Sequence, residues 1–166
     1  MKNKSFLAFD LGATSGRTIL GTVENGRLQM KELTRFPNQM LRIGDHYHWN
    51  IYALFEHLKE GLSAAAKEGV TISSIGIDTW GVDFALIAED GTVLGAPYAY
   101  RDPHTVDAPA AYFQKVPRER VYDLTGIQVM NFNSLNQLFA LKQADNSLQK
   151  AAKSIDRKST RLNSSH

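Results

Sequence analysis

No cysteine occurs among the 166 residues. Disulfides and thiolate metal sites are thereby excluded, and a reducing, cytoplasmic setting is the expectation. Long hydrophobic runs are missing as well. The first apolar stretch, Phe6 to Phe9, ends at Asp10 and is too short for a signal peptide or a membrane span. Nor is there an excess of one charge. The net charge of +2 comes from Asp156 to His166, which carry three basic residues and one acid, so residues 1–155 are neutral. No basic stripe with interleaved aromatics is left to follow a phosphate backbone, and neither nucleic acid nor a membrane is an expected partner. Repeats, low-complexity tracts and linkers are also lacking. What remains, 43% hydrophobic and 22% charged residues, is enough for a packed core in one domain or part of a larger one.

The last eleven residues, Asp156 to His166, have no hydrophobic period and almost nothing to bury, as in a disordered polar tail. Over their whole length they resemble the conceptual translation of a common sequencing-library adapter. The expected organisation is an incomplete domain over 1–155 and an adapter-derived, disordered segment over 156–166. The natural protein is then expected to continue beyond about Ile155 with other residues.

The most informative segment is Asp10-Leu11-Gly12-Ala13-Thr14-Ser15-Gly16-Arg17, set between the strand-like runs Phe6 to Phe9 and Thr18 to Val23. An acid at a strand end can hold a hydrated metal ion. Two glycines let the backbone curl so that N–H groups point at an anion, and two hydroxyls and an arginine add donors for phosphate oxygens. These are the parts needed to hold the phosphates of Mg·ATP. The segment is not a Walker A loop, and its glycine spacing is not the dinucleotide fingerprint. A tight loop between antiparallel strands fits, with Asn25-Gly26 turning into a third strand, Arg27 to Phe36. The alternative is a polar hairpin turn with an incidental acid.

A polar connection is expected from Pro37 to Trp49, and Asn50 then reads as the N-cap of a helix carrying Ile51, Leu54, Phe55, Leu58, Leu62 and Ala65. Ser74 to Thr79 reads as a buried strand, Val82 to Ala88 as the next, and Glu89 to Thr92 as a turn into Val93 to Gly95. Helices are expected from Thr105 to Lys115, interrupted by Pro109, from Arg118 to Leu124, and from Leu135 to about Lys153. His46 and His48 lack a third ligand at a fixed offset, so a solvent-facing or substrate-adjacent role outweighs a metal site.

A second constellation is Thr79-Trp80-Gly81-Val82-Asp83, with Tyr100-Arg101-Asp102 further on. Sugars are held by carboxylates and arginines, by a flat aromatic wall, and by backbone approached where a side chain is missing. Asp83, Arg101, Trp80 and Gly81 supply these. Core filling by Trp80, a turn cap at Asp78 and a surface pair at Arg101-Asp102 are the plainer readings.

On these residues, with Gly126-Ile127-Gln128 and Phe132-Asn133-Ser134-Leu135, the chain resembles the N-terminal part of the FGGY carbohydrate kinases from about Phe6 to Lys142. Ala13 stands where the wider family usually has threonine, and Trp80-Gly81-Val82-Asp83 is similar to the branch that acts on L-rhamnulose. The resemblance implies an α/β lobe of the ribonuclease H-like, actin-like ATPase fold, whose mixed sheet begins with an antiparallel three-strand meander and has helices packed on it. It implies ATP-dependent phosphorylation of L-rhamnulose to L-rhamnulose 1-phosphate in rhamnose breakdown. Ala13, Thr14, Ser15, Gly16 and Arg17 would lie against the ATP phosphates and Asp10 would organise Mg²⁺ through water. Gly81 would touch the sugar, with Asp83, Trp80 and Arg101 beside it. The catalytic base and adenine site of the family fall in a second domain, so no aspartate here is assigned as base. Other readings are a kinase of the same family acting on another ketose or polyol, and a non-catalytic actin-like nucleotide-binding module.

Overall fold

The computed structural model describes residues 4–157. In chain order the elements are β1 (Lys4–Leu11), β2 (Ser15–Glu24), β3 (Arg27–Pro37), β4 (Met40–Ile43), β5 (His46–Trp49), α1 (Ile51–Lys67), β6 (Ile72–Thr79) and β7 (Phe84–Ile87). A 3₁₀ turn at Pro103–Thr105 follows, then α2 (Ala108–Phe113), α3 (Arg118–Thr125), α4 (Ser134–Gln143), α5 (Ser147–Ala151) and β8 (Ser154–Arg157). Two compact units divide them. Among the described residues, one holds 4–39 and 50–80, the other 40–49 and 81–157.

In the first unit the sheet order is β3-β2-β1-β6, with β1 to β3 an antiparallel meander and β6 parallel to β1. Asn25 and Gly26 both take positive φ, the turn that matches the twist of a two-residue hairpin. Strand alternation sends Leu7, Phe9 and Leu11 to one face, where Leu54, Leu58 and Ala65 of α1 cover them. Helix and sheet come close at Gly61, where a Cβ would overlap Thr18 and Phe9. Asn50 caps α1, its Oδ1 accepting from the Ala53 N–H at 3.1 Å.

The expectation of a buried strand at 74–79 is corrected. β6 is exposed along most of its length, with Ile75 at 53% and Ile77 at 38%. It is the edge of the sheet, and α1 packs on β1, β2 and β3.

In the second unit the supposed polar connection contains a hairpin, β4 and β5, closed by Gly44 at positive φ. β7 pairs antiparallel with β8, and Phe84, Leu86 and Leu141 form the core with Leu94, Tyr98 and Leu138 around them. The helix expected from Leu135 to about Lys153 is two. Asp145 takes positive φ, and Asn146 Oδ1 starts α5 by accepting from Gln149 N–H. The expected helix from Thr105 is shortened to α2, with Pro109 tolerated in its first turn. Val93 keeps only a single bridge to Ile87. Asp156 and Arg157, the first residues of the polar tail, extend β8 opposite Ala85 and Phe84, since ladder bonds need only backbone. Residues 158–166 of that tail lie outside the described residues.

Candidate functional site

In the first unit, the bend between β1 and β2 holds the segment expected to bind phosphate. Cross-strand register sets Asp78, Asp10, Arg17 and Arg35 in one row across the sheet. Asp10 Oδ2 accepts from Arg17 Nε at 2.8 Å, both side chains 41% exposed. Arg35 pairs with Glu32 instead, and this bond holds the Glu32 carboxyl below its usual range.

The two glycines of the loop serve space rather than positive φ. Gly12 N–H donates to Ser15 O at 3.0 Å, and a Cβ on Gly12 would sit 2.7 Å from that oxygen. A Cβ on Gly16 would overlap the Phe36 ring. The sequence did not single out Asn38, yet it ties the loop down. Its Nδ2 donates to Gly12 O and its backbone N–H to Thr14 O, each at 2.9 Å. Thr14 is left exposed, and Ala13 and Ser15 are half-buried. Exposed donors for phosphate beside a half-exposed carboxylate suit a hydrated cation bridged to phosphates. Mg²⁺ is usually held that way, by one or two carboxylates plus substrate oxygens. Trp80 also belongs to this unit, packing against Leu11, Phe36 and Leu54.

The second unit holds Gly81, Asp83 and Arg101. Gly81 is exposed, its φ is not positive, and nothing lies within 4 Å of where its Cβ would be. Nothing in the described structure therefore demands glycine there. Asp83 N–H donates to Gly81 O at 2.9 Å across Val82, whose φ is +66°. This is a γ-turn with a β-branched residue in the left-handed region, a strain on the order of 1–3 kcal/mol.

Asp83 itself is 3% exposed. Its Oδ2 accepts from Trp49 Nε1 at 2.6 Å and its Oδ1 from Gln137 Nε2 at 3.0 Å. Ser134 Oγ donates to Val82 O at 2.6 Å. Trp49, Tyr100 and Phe132 continue as an aromatic group, with ring centroids 6.1 Å and 5.6 Å apart in turn. Arg101 lies over the Tyr100 ring and donates from Nε to the Tyr100 hydroxyl at 3.2 Å.

Asp102 is not the surface partner of Arg101. Its buried carboxylate accepts from Tyr47 N–H, His104 N–H at 2.9 Å, His104 Nδ1 at 2.7 Å and His46 Nδ1 at 3.1 Å. Burial alone would raise its pKa, but these four donors together hold it below the usual range. His104 is pushed down, first by burial and further by His46 and His48, against the pull of Asp102. His48 Nδ1 meets Ala96 O at 2.8 Å, and Tyr98 stacks near His46, His48 and His104. Among the described residues no group of three or more His, Asp or Glu side chains is placed to hold a metal.

The mixed sheet with its meander and parallel fourth strand is the ribonuclease H-like lobe of the actin-like ATPase fold. Solved structures that share it include carbohydrate kinases. Gluconate kinase from Lactobacillus acidophilus matches with a TM-score of 0.78 at 13% identity, over 93% of this chain and 31% of that one. Glycerol kinase from Plasmodium falciparum, crystallised with ADP, matches with 0.69 at 15%, over 89% and 30%. At these identities the likeness is one of fold.

The chain belongs to the FGGY family of carbohydrate kinases, whose N-terminal domain matches residues 5–164. A rhamnulokinase of Bacteroides thetaiotaomicron is 55% identical over 152 residues, 92% of this chain and 31% of that protein. The rhamnulokinase of Ligilactobacillus salivarius is 42% identical over 136 residues, 82% of this chain and 28% of that protein. The chain therefore spans about a third of the length of the curated relatives it matches.

Proposed function

We propose that the whole protein is a rhamnulokinase, transferring the γ-phosphoryl group of ATP to the 1-hydroxyl of L-rhamnulose. The observation that carries this is the 55% identity over 152 residues with a rhamnulokinase. Ala13, Thr14, Ser15, Gly16 and Arg17 take the ATP phosphates, with the loop held by Asn38. Asp10 carries hydrated Mg²⁺, which supplies charge neutralisation on the phosphates when bound. Arg17, whose guanidinium pairs with Asp10 in the structure, would offer its donors to a phosphate oxygen, and Asp10 would hold the cation through water.

For the sugar, Gly81, Asp83 and Arg101 are proposed from the second unit and Trp80 from the first. The open space over Gly81 supports close approach of a hydroxyl to backbone there. Asp83, with both oxygens already accepting from Trp49 and Gln137, acts by shaping the corner. Phosphoryl transfer asks mainly for positioning and charge neutralisation, plus a base for the attacking hydroxyl. That base belongs to the second domain of the family. A cytoplasmic setting goes with rhamnose breakdown, and no helix among the described residues is long and apolar enough to cross a membrane.

The test is a coupled ADP-release assay on the full-length protein with a panel of ketoses and polyols. Turnover highest on L-rhamnulose is expected. Preference for another sugar moves the assignment within the family, and calorimetry without sugar binding favours a non-catalytic nucleotide-binding module.

A further inference from the structure

The corner at 81–83 is more firmly restrained than a surface turn requires. Val82 sits in a conformation that β-branched residues avoid, and hydrogen bonds from distant parts of the chain converge on it. The centre of that convergence is Gln137, 2% exposed on α4. Its two Nε2 hydrogens go to Phe132 O at 2.9 Å and Asp83 Oδ1 at 3.0 Å, with Val82 O a longer, shared contact at 3.4 Å. One amide group thus joins the corner to the segment that leads into α4.

We infer that Gln137 is a positioning residue for the sugar: it keeps the Val82 turn closed so that the Gly81 backbone faces the substrate hydroxyls. The inference rests on the sugar-kinase reading and deepens it, because Gln137 touches no reacting atom. The geometry behind it is specific. Asp83 is anchored on its other oxygen by Trp49, and Val82 O is held a second time by Ser134. Without the Gln137 amide, the buried Asp83 Oδ1 loses a donor, as do the part-buried Phe132 O and Val82 O, and the strained φ of Val82 is free to relax. Relaxation turns the Gly81–Val82 peptide and misaligns the face offered to the sugar. Glycine at position 82 would take the same φ without strain, so it should hold the turn even when the amide is gone.

The experiment uses the full-length enzyme as wild type, Gln137→Met, Val82→Gly and the double variant. KM for L-rhamnulose, KM for ATP, kcat and the melting temperature are measured for each. Gln137→Met should raise the sugar KM about tenfold or more, with KM for ATP within about twofold, because misplacement acts on the group it aligns. The double variant should recover most of the sugar KM while its melting temperature stays low. Should Gln137→Met fail to fold, Ser134→Ala removes a single bond to Val82 O and should shift the sugar KM in the same direction by a smaller factor. A lowered melting temperature with an unmoved sugar KM in the folded variant, or no rescue by glycine, overturns the inference alone. A wild type that phosphorylates no sugar overturns the kinase reading and the inference with it.

Discussion

Single atoms decide several positions in this chain. Gly61 lies mid-helix, where glycine is unfavourable, because a Cβ would overlap Thr18 and Phe9 beneath it. Gly61→Ala should therefore destabilise by about 1–3 kcal/mol despite its better helix propensity, read as a melting temperature several degrees lower. His104 gives a pH-dependent counterpart. Burial first of all lowers its pKa from the ordinary 6.5, so the folded chain favours the neutral ring and the unfolded chain binds the extra proton. Its contribution is present above 6.5 and is lost as the pH falls from there towards the lowered value. Melting temperature of the wild type should decline over that interval more steeply than that of His104→Gln. Roles such as those of Asn38 and Gln137 were not legible in the sequence. Each is an amide whose partners lie far away along the chain, and nothing in the local pattern marks it.

At the scale of elements, the meander and α1 were legible because a short apolar run ends at Asp10 in β1, Asn25-Gly26 marks the hairpin turn, and apolar residues recur at helical spacing along α1. The hairpin of β4 and β5 was not. Its Arg42, Asp45, His46 and His48 give no apolar period, and its pairing runs through the backbone. The long C-terminal helix was read too far, since the positive φ at Asp145 and the cap at Asn146 divide it without any proline or glycine. β6 was read as buried from its isoleucines, yet it forms an open edge. An edge strand carrying exposed Ile75 and Ile77 is a template for pairing with another copy. The 166-residue chain should accordingly self-associate with rising concentration. Ile75→Thr with Ile77→Lys should reduce this in light scattering without lowering the melting temperature by more than a few degrees.

At the scale of the whole molecule, the family was legible from two motifs in the sequence, and its fold followed from the family. How the motif residues are used was less so. Gly16 proved to be a packing glycine under Phe36, and Asp83 and Asp102 are carboxylates already taken up by buried donors. Neither aspartate is suited to deprotonating a sugar hydroxyl. The 166-residue chain should therefore release no ADP above background with L-rhamnulose and Mg·ATP. Turnover by this chain alone would mean that a base has been overlooked within it.

Asn38 fastens the β1–β2 bend at two carbonyls, Gly12 and Thr14, before any ligand arrives. A bend already immobilised has little freedom left to surrender. On the proposed reading, nucleotide capture there should carry only a small ordering penalty, leaving the affinity to be governed by charge and hence by ionic strength.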